Sequence, residues 1–405
     1  MNKKKTILFV IEHKEREFFS KCFLAYQLVK LGFRVYMGSF LTIDAVAERI
    51  GPSIFFNKST YWEKSKYYKE LGHKFIFLDE EGGLTTPRSA TKEFCQERYS
   101  TVNKGNNDII FLPGDRFEKY VAEMTNTVGV DFFTFGWPRV DLWRKEYRFL
   151  YNSEIQNIKE KHGNYYLFIT SFGMTSKETF EERLEIDIEL YQKLYKHKYN
   201  AFVAYIDLLN NLSHLLKDNE KIIIRPHPSE HIQDWYKIAK KLKNVYVIRD
   251  GDISPWILAS DGVIQYGSTT ATQACLNGIQ PIQYKIDWVE GITDTPSFEL
   301  CVNADSAVEV YNLLTTNKQK YNLEVEAKAI SFLKLEMAYD ELELSAVKIA
   351  KTLNENSSPL ISRYVPSYYS FIKPFIKYAL DYLRILYYNI NKIKIRFINI
   401  FLVLN

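Results

Sequence analysis

Cysteine is scarce in this 405-residue chain, and its placement excludes much. Cys22, Cys95, Cys275 and Cys301 lie far apart, with no CxxC pair and no metal-ligand spacing. They read as reduced core thiols of a cytoplasmic protein. The seven histidines are dispersed, and no DxD motif suits a metal-dependent nucleotide-sugar site. There is no GxxxxGK[ST] run, which excludes a P-loop, and no GxSxG elbow for Ser-His-Asp hydrolysis. Long apolar runs are missing too. Thr6–Ile11 is too short for a signal-peptide core and lacks a small-residue cleavage site, so it reads as a first strand.

A net positive charge is missing from most of the chain. Residues 361–405 hold Arg363, Lys373, Lys377, Arg384, Lys392, Lys394 and Arg396 against Asp381 alone. The formal total is +4, so the preceding 360 residues are slightly acidic. The body carries no sign of a nucleic-acid binder. Hydrophobic content of 46% and charge of 25% mark a globular protein, and the length suits two domains.

Strand-like and helix-like segments alternate over the first 320 residues, the pattern of α/β domains with parallel sheets. Strands are expected at Thr6–Glu12, Phe33–Gly38, Ser53–Phe56, Lys74–Leu78, Asp108–Phe111 and Asp131–Phe135. A second series follows at Tyr165–Thr170, Lys221–Ile224, Val245–Ile248, Gly262–Gln265 and Gln280–Tyr284. Helices are expected at Glu15–Leu31, Ala45–Ile50, His231–Leu242, Ile253–Ala259 and Thr270–Asn277. Lys177–Leu216 reads as largely helical and Glu324–Asn354 as one or two helices. Two doubly wound domains facing a cleft result, covering 1–150 and 151–353, with a hinge near 145–163. A linker and tail occupy 354–405. In that tail Ile376, Leu383, Ile390, Phe397 and Ile400 recur at helical spacing among lysines and arginines. This reads as a basic amphipathic helix on an anionic membrane surface. The competing reading packs it on the body, or on a second copy of the chain as a homodimer.

Three segments carry the chemistry. Glu80-Glu81-Gly82 follows an apolar strand. Adjacent acids in a strand point to opposite faces, so one of them faces the cleft. Such a carboxylate can take a proton from an acceptor hydroxyl or act as nucleophile, and Gly82 lets a sugar approach. Taken alone the motif is also a solvated acidic turn. In Arg225-Pro226-His227-Pro228, two prolines fix the backbone around His227 at a strand's C-terminal end. Open α/β sheets bind ligands there. His227 can serve a leaving phosphate, Arg225 can pair with phosphate or carboxylate, and Glu230 can contact a ribose or cap the next helix. Gly267-Ser268-Thr269-Thr270 joins a strand to a helix, where hydroxyls and N–H groups can hold an anion; helix capping is the plainer role. The loop Glu12–Glu17, with Arg16, and Gly136-Trp137-Pro138-Arg139 can also reach the cleft.

Together these stretches resemble the bacterial sialyltransferases and Kdo transferases, with their D/E-D/E-G, HP and Ser/Thr motifs. More closely the chain resembles surface carbohydrate (surface polysaccharide) biosynthesis proteins over about residues 5–290. The matching residues include Glu12-x-Lys14-x-Arg16-Glu17, Glu80-Glu81-Gly82, Gly136-x-Pro138-Arg139-x-Asp141, Arg225-Pro226-His227-Pro228-Ser229-Glu230 and Gly267-x-Thr269-Thr270. The resemblance implies a GT-B fold and a metal-independent glycosyltransferase with no cofactor. It implies a CMP-activated 2-keto sugar acid as donor, and a glycan or lipid-linked glycan acceptor at the inner face of the cytoplasmic membrane. Glu81 would be base or nucleophile and His227 the phosphate-side acid. Arg16, Glu80, Gly82, Arg139, Arg225, Pro228, Glu230, Ser268, Thr269 and Thr270 would bind substrate. Tyr266 stands where that group often has His or Asn. Two other classes fit the motifs: a CDP-glycerol or polyol-phosphate transferase, and a non-catalytic assembly protein.

Overall fold

The computed structural model describes residues 5–58, 64–100, 102, 108–173, 180–181, 189–285, 289, 292–316, 321–356 and 402–404. Apolar β-branched and aromatic runs form the strands as expected. In the first half these are β1 (Thr6–Val10), β2 (Arg34–Gly38), β3 (Ile54–Asn57), β4 (Lys74–Leu78), β5 (Ile109–Leu112) and β6 (Asp131–Thr134). They pair in parallel in the order β2-β1-β3-β4-β5-β6. Alternation along each strand feeds two cores. Ile7, Phe9, Phe56 and Ile76 enter one; Leu8, Phe55, Phe75 and Phe77 enter the other.

The second half holds β7 (Tyr166–Ile169), β8 (Ile222–Arg225), β9 (Val245–Val247), β10 (Gly262–Gln265), β11 (Pro281–Tyr284) and β12 (Val302–Ala304). Their order is β12-β11-β10-β7-β8-β9, again parallel. Every residue of β7, β8, β10 and β11 is buried, which is why these strands read as continuous apolar runs. Strand order reverses beside β1 in one sheet and β7 in the other, so both sheets open a crevice there.

The chain crosses back at its end. The helices Leu323–Met337 and Ser345–Asn356 were expected to close the second domain. The first does pack there, with Val325, Ala329 and Leu333 against Cys275, Leu276 and Leu300, whereas Ala346, Ile349, Ala350 and Leu353 of the second complete the core under β1, with Leu24 and Leu28 of helix Lys14–Lys30. The motif Gly136-x-Pro138-Arg139-x-Asp141 serves this return. A Cβ on Gly136, whose φ is +76°, would collide with the Met337 carbonyl. Asp141 accepts the N–H groups of Ser345 at 3.1 Å and Ala346 at 2.9 Å, capping the returning helix.

The linker and most of the basic tail lie outside the described residues. Its described part, Leu402–Leu404, is an edge strand antiparallel to β2 rather than a continuation of a helix. Among the described residues no helix is long and apolar enough to cross a membrane.

His73 offers a check on the first core. It is buried against Phe55 and Tyr68, and its Nδ1 accepts the Ser53 N–H at 3.1 Å. Burial pushes its pKa down to about 4. The unfolded chain therefore binds more protons between that value and the ordinary imidazole pKa, and stability falls as pH drops through the window. His73→Asn keeps an acceptor for Ser53. It should remove up to about 3 kcal/mol of that acid-induced loss, read as the difference in urea-unfolding free energy between neutral and acid pH.

Candidate functional site

Strand ends from both sheets line one cavity of about 800 Å³ between the domains. From the first domain come His13, Arg16, Glu80, Glu81 and Arg139. From the second come Thr170, Ser171, Lys198, Pro228, His227, Asp252 and the run Gly267–Thr270. The acid and hydroxyl motifs lie 187 positions apart in sequence, counted from Glu81 to Ser268, with His227 between them, yet all share one space.

β4 ends at Leu78, so Glu80 and Glu81 sit in a turn and not in a strand. Both line the cavity, contrary to the expectation that one would point away. Their surroundings differ. One oxygen of Glu81 accepts from Arg16 at 2.6 Å and Lys58 at 3.3 Å, and the other from Arg98 at 3.2 Å. Burial raises its pKa, but Arg16, Lys58 and Arg98 together outweigh burial and hold it below the usual carboxylate range. Among the described residues the Glu80 carboxylate accepts one hydrogen bond, from the Arg139 N–H at 3.3 Å. Burial pushes its pKa up, against Arg139 and Lys21. Gly82 does not face the cavity. A Cβ there would collide with the edge of the Phe94 ring, so packing by itself calls for glycine.

Arg16 is held by Glu17, whose carboxylate also binds Lys21 at 2.7 Å and the Glu12 N–H at 3.1 Å. That set fixes the β1 loop. Arg139 lies over Trp137 and Trp143 and donates to the Glu80 carbonyl at 2.9 Å. The loop after the acid motif is tied to the rest of the molecule. Glu336 accepts Arg88 at 2.7 Å and Arg116 at 3.2 Å, and the Ser89 N–H reaches Asp294 at 2.9 Å.

In the second domain the loop after β8 is built from Glu230. This buried carboxylate accepts the N–H groups of Phe172 at 2.7 Å and Gly173 at 3.2 Å, Trp235 Nε1 at 3.0 Å, and the Thr170 hydroxyl. Thr170 Oγ1 in turn accepts the His227 N–H at 3.2 Å. Glu230 is thus a hub beneath the site and does not line the cavity, which corrects the ribose and capping roles expected for it. Arg225 lines the cavity, yet its guanidinium donates to the carbonyls of Asp250 at 2.6 Å and Gly251 at 2.8 Å and lies over Trp256. These bonds hold that loop and fix the guanidinium at the cavity wall.

His227 Nδ1 accepts the Ser229 N–H at 3.2 Å, with Ser229 Oγ at 2.7 Å. The neutral ring therefore carries its proton on Nε2. Burial, then Arg16, Lys198 and His13, push its pKa down to about 4. It is thus a neutral hydrogen-bond donor at pH 7. An arriving phosphate would draw the pKa upward.

The Ser268 N–H is engaged by Gln265 Oε1 at 2.8 Å, and the Thr270 N–H by Ser268 Oγ at 3.3 Å. The anion-holding capacity expected of free N–H groups there narrows to fewer donors. The hydroxyl-bearing Ser268 and Thr269 still line the cavity.

Several lining residues had no individual signal in the sequence. Lys198 sits in a lysine-rich helix, Glu189–Leu215. Asp252 is different: Asp250-Gly251-Asp252 has DxD spacing, contrary to the reading that no DxD motif suits the site, and Asp252 lines the cavity while accepting the Ser254 N–H at 2.6 Å. Among the described residues no three His, Cys, Asp or Glu side chains gather as metal ligands.

No family model matches this chain, and no curated protein matches it. Solved structures do share its fold. One is the Methanocaldococcus jannaschii UDP-GlcNAc 2-epimerase in complex with UDP-GlcNAc and UDP. It is 10% identical with a TM-score of 0.53, over 87% of this chain and 100% of that one. Another is the wall teichoic acid polymerase TagF, 14% identical with a TM-score of 0.52, over 87% of this chain and 89% of that one. The fold is GT-B, two α/β domains around a cleft, as the sequence resemblance implied. At these identities the likeness is one of fold.

Proposed function

We propose that this protein is a glycosyltransferase that moves a 2-keto sugar acid from a CMP-linked donor to a glycan acceptor for the bacterial surface. The observation that carries the reading is the meeting of Glu80 and Glu81 with His227 and the Ser268–Thr269 hydroxyls in one cavity between the domains. The donor's phosphate would lie against Ser268, Thr269 and the Nε2–H of His227. The acceptor hydroxyl would approach from the side of Glu80, Glu81 and Arg139. His227, as a neutral donor, would offer a hydrogen bond to the leaving phosphate oxygen. We propose metal independence on the same basis, with side chains and backbone holding the phosphate, and EDTA should leave turnover unchanged. Attachment of residues 361–405 to an anionic membrane surface is part of this proposal, tested by flotation with anionic liposomes.

The fold likeness to a wall teichoic acid polymerase supports a second reading, transfer of a polyol phosphate from a CDP-linked donor. A thermal-shift series with CMP, CDP, UDP and GDP separates these. CMP at ~100 times its dissociation constant should stabilise the protein by about 2.7 kcal/mol. Much stronger protection by CDP than by CMP would favour the polyol-phosphate reading. Protection by UDP or GDP alone would overturn both cytidine donors. No protection by any nucleotide would leave the non-catalytic assembly reading.

A further inference from the structure

We propose that Glu80, and not its neighbour Glu81, is the carboxylate that takes the acceptor's proton, with Glu81 acting as a positioning residue for Arg16 and Lys58. This rests on the transferase reading above. Two adjacent acids cannot be ranked from the sequence, but their partners rank them. Glu81 has cations on both oxygens, at 2.6, 3.3 and 3.2 Å. A proton on Glu81 would have to displace at least one of these pairs. Glu80 has no such cage. Its carboxylate meets one long backbone N–H, at 3.3 Å, and the Arg139 guanidinium binds its carbonyl instead. Both acids line the main cavity and a small side pocket of about 40 Å³ beside Glu12, Glu17, Lys21 and Lys58, so access does not separate them and their partners do.

The electrostatics agree with the geometry. Burial, reinforced by Glu17, raises the Glu80 pKa, while Arg139 and Lys21 oppose the rise. Glu81 is shifted the other way. A base is most effective when its pKa approaches the working pH. The ion pairs of Glu81 have a different use. They hold Arg16, which lines the cavity and lowers the His227 pKa, and Lys58, which lines the side pocket.

The step balances without an outside reagent. The acceptor O–H bond breaks and its proton passes to a Glu80 oxygen. The freed oxygen bonds to the anomeric carbon, or to phosphorus in the polyol-phosphate case. The bond from that centre to the nucleotide phosphate oxygen breaks. Its electron pair leaves on the phosphate, which receives the His227 Nε2–H hydrogen bond.

The test compares full-length wild type, Glu80→Gln and Glu81→Gln. Nucleotide release from CMP-N-acetylneuraminic acid and from CDP-glycerol is measured with water as acceptor, together with the melting temperature with and without CMP. Glu80→Gln should lower kcat by about 10²- to 10⁴-fold, keep KM and nucleotide protection, and lose the acidic limb of the kcat–pH profile. Groups facing Glu80 that shape that limb are Arg139, Lys21, Glu17, Arg16, Lys58, Glu12 and Glu81. Glu81→Gln should keep the limb, raise KM and lower the melting temperature, because Arg16, Lys58 and Arg98 lose a shared partner. Glu80→Asp, one methylene shorter, should retain part of the rate. A Glu80→Gln enzyme within about tenfold of wild type overturns the assignment. So does a larger kcat loss in Glu81→Gln at unchanged KM and melting temperature. Turnover of neither donor, with no protection of wild type by a cytidine nucleotide, overturns the transferase reading itself and the assignment with it.

Discussion

Replacing His227 by alanine should lower turnover by about 10²- to 10⁴-fold while the protein stays folded and still binds nucleotide. Little packing is lost, because the ring lies at the cavity wall and its loop is held by other groups. The His227 N–H rests on Thr170 Oγ1, and Glu230 holds Thr170. What would be lost, on the proposed mechanism, is the Nε2–H offered to the leaving phosphate. His227→Gln adds a discriminating arm. A glutamine amide can replace a neutral hydrogen-bond donor but not a proton donor. Partial activity in His227→Gln would show that electrostatic support of the phosphate is the larger contribution. Full loss in both variants would show that proton transfer is. Near-normal turnover of His227→Ala at saturating donor would remove His227 from the mechanism. Steady-state nucleotide release, beside a thermal shift with CMP, distinguishes these outcomes.

Glu230→Ala should cost about 3–5 kcal/mol of stability, the largest loss expected from a single change near the site. Four donors converge on this carboxylate: two backbone N–H groups, an indole N–H and a hydroxyl. All lie under the loops after β7 and β8, where Phe172 and Trp235 are buried. Alanine would leave those donors without an acceptor and without access to water. Glu230→Gln keeps one acceptor oxygen and should cost less, because its amide can still meet part of the set. Urea unfolding measures the difference. The expectation from sequence, that Glu230 touches a ribose, makes the opposite forecast: weaker nucleotide binding at unchanged stability. Since Glu230 orders the loop that presents His227, turnover should fall in Glu230→Ala as a consequence of lost order. Glu230→Gln should recover much of it.

These two residues show what the sequence could and could not say. His227 stands between two prolines at the end of an isoleucine run, and both signals are local. The prolines fix the backbone, and the strand fixes the end at which a ligand binds. Glu230 stands in the same motif, three residues on, and nothing local separates a buried hub from a substrate contact. Its partners, Thr170, Phe172 and Gly173, come from another strand end almost 60 residues earlier.

By itself, then, the sequence determined the alternation of strands and helices, and with it the parallel sheets. Burial on both faces writes apolar runs directly into the chain. It also determined that acid, histidine and hydroxyl motifs follow strands, and so sit at ligand-binding ends. The tertiary structure decided everything that depends on which charges become neighbours. Arg16, Lys58 and Arg98 converge on Glu81 from three separate segments and leave Glu80 with one weak partner. Arg225 clamps the loop at Asp250 from the cavity wall. The helix Ser345–Asn356 returns to the first domain because Asp141 caps it there. Each of these rests on contacts between distant segments, and the energy of a buried charge is set by its partners in space rather than by its neighbours in sequence.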